Sequence, residues 1–220
     1  MEETAHRPHA DRHSALRLRV ENLIVARGGR AVLTGLSFAV SGGEALVVTG
    51  RNGVGKSTLL RTMAGLLPHA GGNVALDGAG EEADLPQQAH YLAHADGMKA
   101  ALTVEENLDF WSRYLARDEG RLSRTIEEAL AVVGLSHALR APFGALSAGQ
   151  KRRAALARLL VAFRPVWLLD EPLTALDRAS REKFAAVMRD HCALGGIIVA
   201  ATHEPLGLEE ASELALGGAK

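Results

Sequence analysis

The chain has 220 residues, enough for one large domain or two small ones around a real core, and its 47% apolar and 23% charged content is ordinary for a globular protein. A formal net charge of -1 gives no overall electrostatic case for a nucleic-acid partner, and the single cysteine, Cys192, excludes an internal disulfide and suits a reducing compartment. No apolar run approaches the roughly 18 to 20 residues that span a bilayer.

Met1 to Ser14 is charged and His-rich without an apolar h-region, so residues 1–15 are expected to form a disordered tail rather than a signal peptide. His6, His9 and His13 lie there with no cysteine or patterned carboxylate beside them, and metal binding is not expected of them. Leu16 to Val25 alternates and then turns apolar, which predicts a strand. Arg27-Gly28-Gly29-Arg30 predicts a turn, and Ala31 to Val40 a second strand closed by Ser41-Gly42-Gly43. Glu44 to Thr49 is a third strand, apolar enough to be buried on both faces as in a parallel sheet.

That strand runs into Gly50-Arg51-Asn52-Gly53-Val54-Gly55-Lys56-Ser57-Thr58, and a helix predicted from Lys56 to Gly65 follows. Strand, glycine-rich loop and helix with the spacing G-x-x-x-x-G-K-S make a phosphate-cradling loop. Glycines let the backbone turn and aim its N–H groups inward, and the helix start adds free N–H groups and a positive dipole end. Lys56 adds a point charge for β- and γ-phosphates, and Ser57 offers a hydroxyl to Mg²⁺.

Asn73 to Leu76 and Ala89 to Ala93 predict short strands. From Leu102 to about Phe163 the chain reads mostly helical. Thr103 and Glu106 form a capping box, Ser123 to Val133 predicts a second helix, and Ser147 to Val161 a third. Phe110, Trp111 and Tyr114 are expected in the core. Leu146-Ser147-Ala148-Gly149-Gln150 opens the third helix, where Ser147 can cap and Gly149 admits a phosphate, which suggests a second anion site. Lys151-Arg152-Arg153 behind it is read as a solvated helix face.

Val166 to Leu169 is an apolar strand that delivers Asp170 and Glu171 at its C-terminal end, where open α/β sheets bind ligand. Asp170 suits Mg²⁺ through its outer coordination shell, and Glu171 can orient or deprotonate an attacking water. After a helix over Arg178 to Cys192, the strand Ile197 to Ala201 ends in Thr202-His203, so His203 falls on the same edge and can bond a γ-phosphate. Cys192 is expected to be a small core or helix-end residue, and Glu213 to Leu216 closes the chain as a short strand.

These pieces in this order resemble the nucleotide-binding domains of ABC transporters: Gly50–Thr58, LSAGQ at 146–150, LLDEP at 168–172, Ala175-Leu176-Asp177 and Thr202-His203. The resemblance covers nearly everything after residue 15. It implies one α/β domain over 16–220, with a P-loop NTPase core, an antiparallel β subdomain and a helical insertion at about 95–160. It also implies ATP with Mg²⁺, and a head-to-tail dimer that sandwiches two ATP, the P-loop of one subunit facing Ser147 and Gly149 of the other. Asp177 would lie in the loop that links the two sites.

Two positions depart from the family pattern. Arg27 holds the place of the aromatic that stacks on adenine, and its guanidinium can either stack or face water. His94 holds the place of the loop glutamine that senses the γ-phosphate, where its contact would depend on pH. The stretch His90 to Lys99, with Leu102-Thr103 and Glu106 to Trp111, resembles the haem-exporter ATP-binding subunits of bacterial cytochrome c maturation. That likeness implies a membrane permease, a haem-handling membrane protein, a periplasmic haem chaperone, and a place on the cytoplasmic face of the inner membrane. Another small ABC exporter, a soluble non-transport ABC ATPase and a binding-only cassette are the alternatives. No nucleic-acid partner is expected.

Overall fold

The computed structural model describes residues 16–80, 84–93, 95–115 and 123–217. The expected tail at 1–15 and His94 lie outside the described residues. In chain order the elements are β1 (Arg17–Arg27), β2 (Arg30–Ser41), β3 (Ala45–Thr49), α1 (Lys56–Met63), β4 (Gly71–Asp77), α2 (Leu85–Gln88) and β5 (Ala89–Leu92). Then come α3 (Val104–Leu115), α4 (Ile126–Val132), α5 (Ala148–Val161), β6 (Val166–Asp170), α6 (Arg178–Ala193), β7 (Ile197–Ala201) and β8 (Ser212–Ala215).

The strands form two sheets. β1 and β2 pair antiparallel around Gly28 and Gly29, whose positive φ values (55° and 76°) are those a two-residue hairpin demands. β4 pairs antiparallel with the other edge of β1, giving the order β2-β1-β4. The larger sheet has the order β5-β6-β7-β3-β8 and every pairing in it is parallel.

The burial pattern follows from this layering. In β1, Leu18, Val20, Leu23 and Val25 are buried, and they share one core with Leu59, Leu60 and Met63 of α1. The same core takes Val166 and Leu168 from β6 and Ile197 and Val199 from β7. The alternate residues Trp167, Leu169, Ile198 and Ala200 face a second core with α4, α5 and α6. Each central strand is therefore covered on both faces, which is why these segments read as unbroken apolar runs.

Between β5 and β6 the chain is helical. The capping box before α3 forms as expected: Glu106 N donates to Thr103 Oγ1 at 3.1 Å and Thr103 N to Glu106 Oε2 at 2.7 Å. α5 is buried on almost every side, and its alanines (Ala154, Ala155, Ala157) let neighbours approach closely.

The aromatic residues of α3 correct the expectation of a core stripe. The buried face of α3 is Val104, Asn107 and Leu108, whereas Phe110 is 49% and Tyr114 69% exposed. Phe110 and Tyr114 lie round the helix from that face and stack on each other, with ring centroids 5.7 Å apart. Trp111 meets both rings edge-on and is anchored by its Nε1–H bond to Gly97 O at 2.9 Å.

One buried group gives the fold a pH response. His90 in β5 lies opposite Trp167, with Nε2 2.6 Å from Ala162 O at the end of α5. Burial pulls its pKa from 6.5 to about 3, and Arg158 and Arg164 push the same way, so the imidazole is neutral and donates. Between these two values the unfolded chain binds the proton and the folded chain does not. The stability that depends on neutral His90 is present above pH 6.5 and is lost as pH falls toward 3, by up to about 1.4 kcal/mol per pH unit. Urea titrations from pH 7 to 4.5 should show this slope in the wild type and a shallower one in His90→Gln. An unchanged slope would mean the titrating group is elsewhere.

Candidate functional site

β3 ends at Thr49 and α1 starts at Lys56, so Gly50 to Gly55 is the connecting loop. Gly50 and Gly55 have φ of 130° and 120°, which side-chain-bearing residues avoid. A Cβ on Gly50 would stand 2.5 Å from Leu216 O, and one on Gly55 3.0 Å from Leu33 Cδ2. The loop is thus clamped between β2 and the segment after β8. Gly55 is also the N-cap of α1 and brings no side-chain hydrogen bond, which leaves the first-turn N–H groups open to an external acceptor.

Lys56 is only 8% exposed. Its Nζ donates to Gly50 O at 2.6 Å, approaches Arg51 O at 3.4 Å, and lies 2.9 Å from His203 Nε2. Among the described residues no carboxylate pairs with it. A buried ammonium with no anionic partner among the described residues, beside an uncapped helix start, is a site that fits a polyanion.

The acidic residues come from the next strand but one. β6 and β7 are in register, with Asp170 beside Ala201, and Glu171 N donates to Ala201 O at 2.8 Å. Asp170 is buried at the strand end. Glu171 has a φ of 47°, an uncommon conformation for a residue with a Cβ. Two residues beyond β7, His203 reaches the glycine loop, with Nε2 3.1 Å from Asn52 Oδ1 as well as close to Lys56. The loop and the ends of β6 and β7 therefore form one continuous edge. Among the described residues no group of three or more His, Cys, Asp or Glu side chains gathers to hold a metal. Ser57 and Asp170 suit a Mg²⁺ that arrives on phosphate, since that ion keeps several waters and takes few protein ligands.

Among the described residues, the other sequence-predicted residues share no hydrogen bond with this cluster. Ser147 caps α5 in a reciprocal box: its Oγ accepts from Gln150 N at 3.3 Å, and Gln150 Oε1 accepts from Ser147 N at 2.9 Å. A Cβ on Gly149 would meet Ala175 O at 2.9 Å, so this segment packs on the turn that leads to Asp177. Asp177 caps α6 by accepting from Ser180 N at 2.8 Å, and that bond holds its carboxyl below the usual range. Among the described residues no hydrogen bond joins Ser147, Gly149 or Asp177 to the loop at 50–58. Arg27 ends β1, exposed, opposite Arg30. Cys192 is half-buried in the last turn of α6, and burial pushes its thiol up to about 11.

Lys151-Arg152-Arg153 is not a solvated face. Arg152 is 4% exposed and donates to the carbonyls of Ala93, Asp170, Glu171 and Pro172. Arg158, two turns on, donates to Tyr91 O at 2.6 Å and sits 4.6 Å from the Trp111 ring centroid. Burial draws its pKa down to about 10. The available sequence signal was for Arg158 alone, the one polar residue between Ala154 and Val161.

The sequence model of a family described as "ABC transporter" matches residues 33–174. The chain is 58% identical over 203 residues to the cytochrome c biogenesis ATP-binding export protein CcmA of Chelativorans sp. (strain BNC1), covering 92% of this chain and 98% of that protein. It is 53% identical to the protein of the same name from Bradyrhizobium diazoefficiens, covering 92% and 99%. Among solved structures, a putative ABC transporter ATP-binding protein from Pyrococcus furiosus superposes with a TM-score of 0.76 at 24% identity, covering 91% of this chain and 97% of that one.

The glycine geometry predicts a binding defect. Gly55→Ala places a methyl group against Val32 and Leu33 at a φ of 120°. Strain of about 1 to 3 kcal/mol falls on the loop itself, so affinity for a fluorescent ATP analogue should drop by about tenfold or more. Unchanged affinity would show that the loop does not hold the phosphates.

Proposed function

This chain belongs to the ABC transporter family as an ATP-hydrolysing subunit, and we propose that it energises the haem-export or haem-chaperone-release complex of bacterial cytochrome c biogenesis. The observation that carries the chemistry is Lys56, a buried cation without a carboxylate partner among the described residues, at the mouth of an uncapped helix. In this reading Gly50, Arg51, Asn52, Gly53, Val54, Gly55 and Thr58 form the cradle, and Lys56 and the first-turn N–H groups of α1 take the β- and γ-phosphates. Ser57 and Asp170 would hold Mg²⁺, which would supply charge neutralisation for phosphoryl transfer. Glu171 accepts a proton from the attacking water, whose oxygen bonds to phosphorus as the bond to ADP breaks. His203 exchanges Lys56 for a γ-phosphate oxygen.

Ser147, Gly149 and Asp177 serve the same chemistry from a second copy of the chain. The lack of any hydrogen bond from them to the cluster among the described residues of their own chain supports this, as does an exposed Ser147 at the start of a 14-residue helix whose free N–H groups suit a γ-phosphate. We read residues 16–220 as one such domain, with its helical subdomain at about 95–160. Arg27, exposed at the end of β1, is free to stack on adenine, and His94 takes the place of the phosphate-sensing glutamine.

Among the described residues no helix is long and apolar enough to cross a membrane. Export then draws its membrane spans from a permease, and the reading sets this chain at the cytoplasmic face of the inner membrane. A haem-handling membrane protein and a periplasmic haem chaperone complete the complex. The support is the relatives' naming for cytochrome c biogenesis and export, at 50% identity or more.

Glu171→Gln should lower ATP hydrolysis by about 10²- to 10⁴-fold and leave an ATP-held dimer on gel filtration. Hydrolysis at the wild-type rate would remove Glu171 from the role of base.

A further inference from the structure

Arg152 makes more polar contacts than any catalytic candidate, and the reading above gives it no task. Its Nη2 donates to Asp170 O at 3.0 Å and Glu171 O at 2.6 Å, and its Nε to Pro172 O at 3.1 Å. On the other side, Nη1 donates to Ala93 O at 2.9 Å and lies 3.7 Å from Asp96 Oδ1. One guanidinium thus closes three consecutive carbonyls at the end of β6 and grips both flanks of position 94.

The sheet explains why something must be there. The β6 ladder ends at Asp170, and the chain then turns through Glu171 in the left-handed region. Carbonyls left unpaired there would cost about 1 to 3 kcal/mol each. The Glu171 peptide is held on one side by its N–H bond to Ala201 O and on the other by Arg152. These two anchors hold the backbone that aims the Glu171 carboxylate. Arg152 is also five residues from Ser147 at the start of α5, so one side chain joins that helix to the Glu171 backbone, to Ala93 and to Asp96.

We propose that Arg152 is a positioning residue for hydrolysis, setting the direction of the Glu171 carboxylate through its backbone and tying that setting to the start of α5, to Ala93 and to Asp96. The proposal rests on the assignment of Glu171 as base. A planar fork of donors is required: a lysine keeps the charge and the stem, but one ammonium does not span from Pro172 O to Ala93 O.

The test uses the membrane complex in detergent and the variant Arg152→Lys. Bound nucleotide per chain and affinity for a fluorescent ATP analogue should stay within about twofold of wild type, while kcat falls about 10- to 100-fold, the scale of a misplaced catalytic group. Because the effect runs through Glu171, the same substitution in a Glu171→Gln background should cost less than about twofold, read as single-turnover hydrolysis. An equal loss in both backgrounds, or an unchanged kcat in the wild-type background, overturns the proposal. If bound nucleotide per chain falls, the lysine variant is misfolded and Asp96→Asn carries the test. It loosens the guanidinium from a partly exposed partner, and its smaller loss should likewise vanish in the Glu171→Gln background. A loss that persists there, or no loss at all, counts against the proposal. If Glu171→Gln itself leaves hydrolysis unchanged, the failure lies in the assignment of the base and not in Arg152.

Discussion

All five strands of the larger sheet run in one direction, and the placement of the glycine loop, the acidic pair and His203 follows from that. Parallel strands end on one edge, so the loop after β3, the acidic pair after β6 and the histidine after β7 meet without any local sequence relation between them. The order of strands matters as much as their direction. β3, β7 and β6 are consecutive, and His203 therefore stands between the glycine loop and the acidic pair, within hydrogen-bond distance of Lys56. The small antiparallel sheet serves this edge by packing Val32 and Leu33 against Gly55, which leaves the loop no room for a side chain.

Three of the buried cations show two ways of meeting the same cost. Arg152 is taken out of water and repaid by four fixed backbone carbonyls, with Asp96 beside it, whereas among the described residues Arg158 donates to Tyr91 O alone and lies against the Trp111 ring, its Nε buried without a hydrogen-bond partner. Their partners are permanent, so they hold structure. Lys56 has only neutral partners in the described residues, and the strongest acceptor for its charge must come from outside. Burial alone does not separate a structural cation from a binding one; its place does, since Lys56 stands at an uncapped helix start. Ser147 and Asp177 show the same distinction among polar residues, since each has a local task as a helix cap and still presents its segment at the surface.

What was legible in the sequence is what local chemistry dictates. Gly50 to Gly55, the caps at Thr103 and Ser147, and the apolar strands at 166–169 and 197–201 appear where glycine freedom, capping and burial require them. Helix α4 was legible only in part. It begins at Ile126 rather than Ser123, because Thr125 and Glu128 form their own capping box, and Ser123 Oγ instead accepts from Phe163 N. Less legible was anything decided by distant cover. Phe110 and Tyr114 look like core until the neighbours of α3 leave them uncovered. Arg152 looks solvated until α5 is seen enclosed by helices on one side and the ends of β5 and β6 on the other. Helical spacing gives the angle of a residue on its own helix, but not what stands opposite.

The central claim is that one chain carries half of each hydrolytic site. Cross-linking tests it most directly. In a Cys192→Ser, Glu171→Gln background, one population carries Asn52→Cys and another Ser147→Cys, both at exposed positions. The two are mixed, given ATP and oxidised. The account predicts a disulfide-linked species of two chains that forms only in the mixture and only with nucleotide. A chain carrying both cysteines that closes the bond within itself, or a cross-link indifferent to ATP, would contradict it.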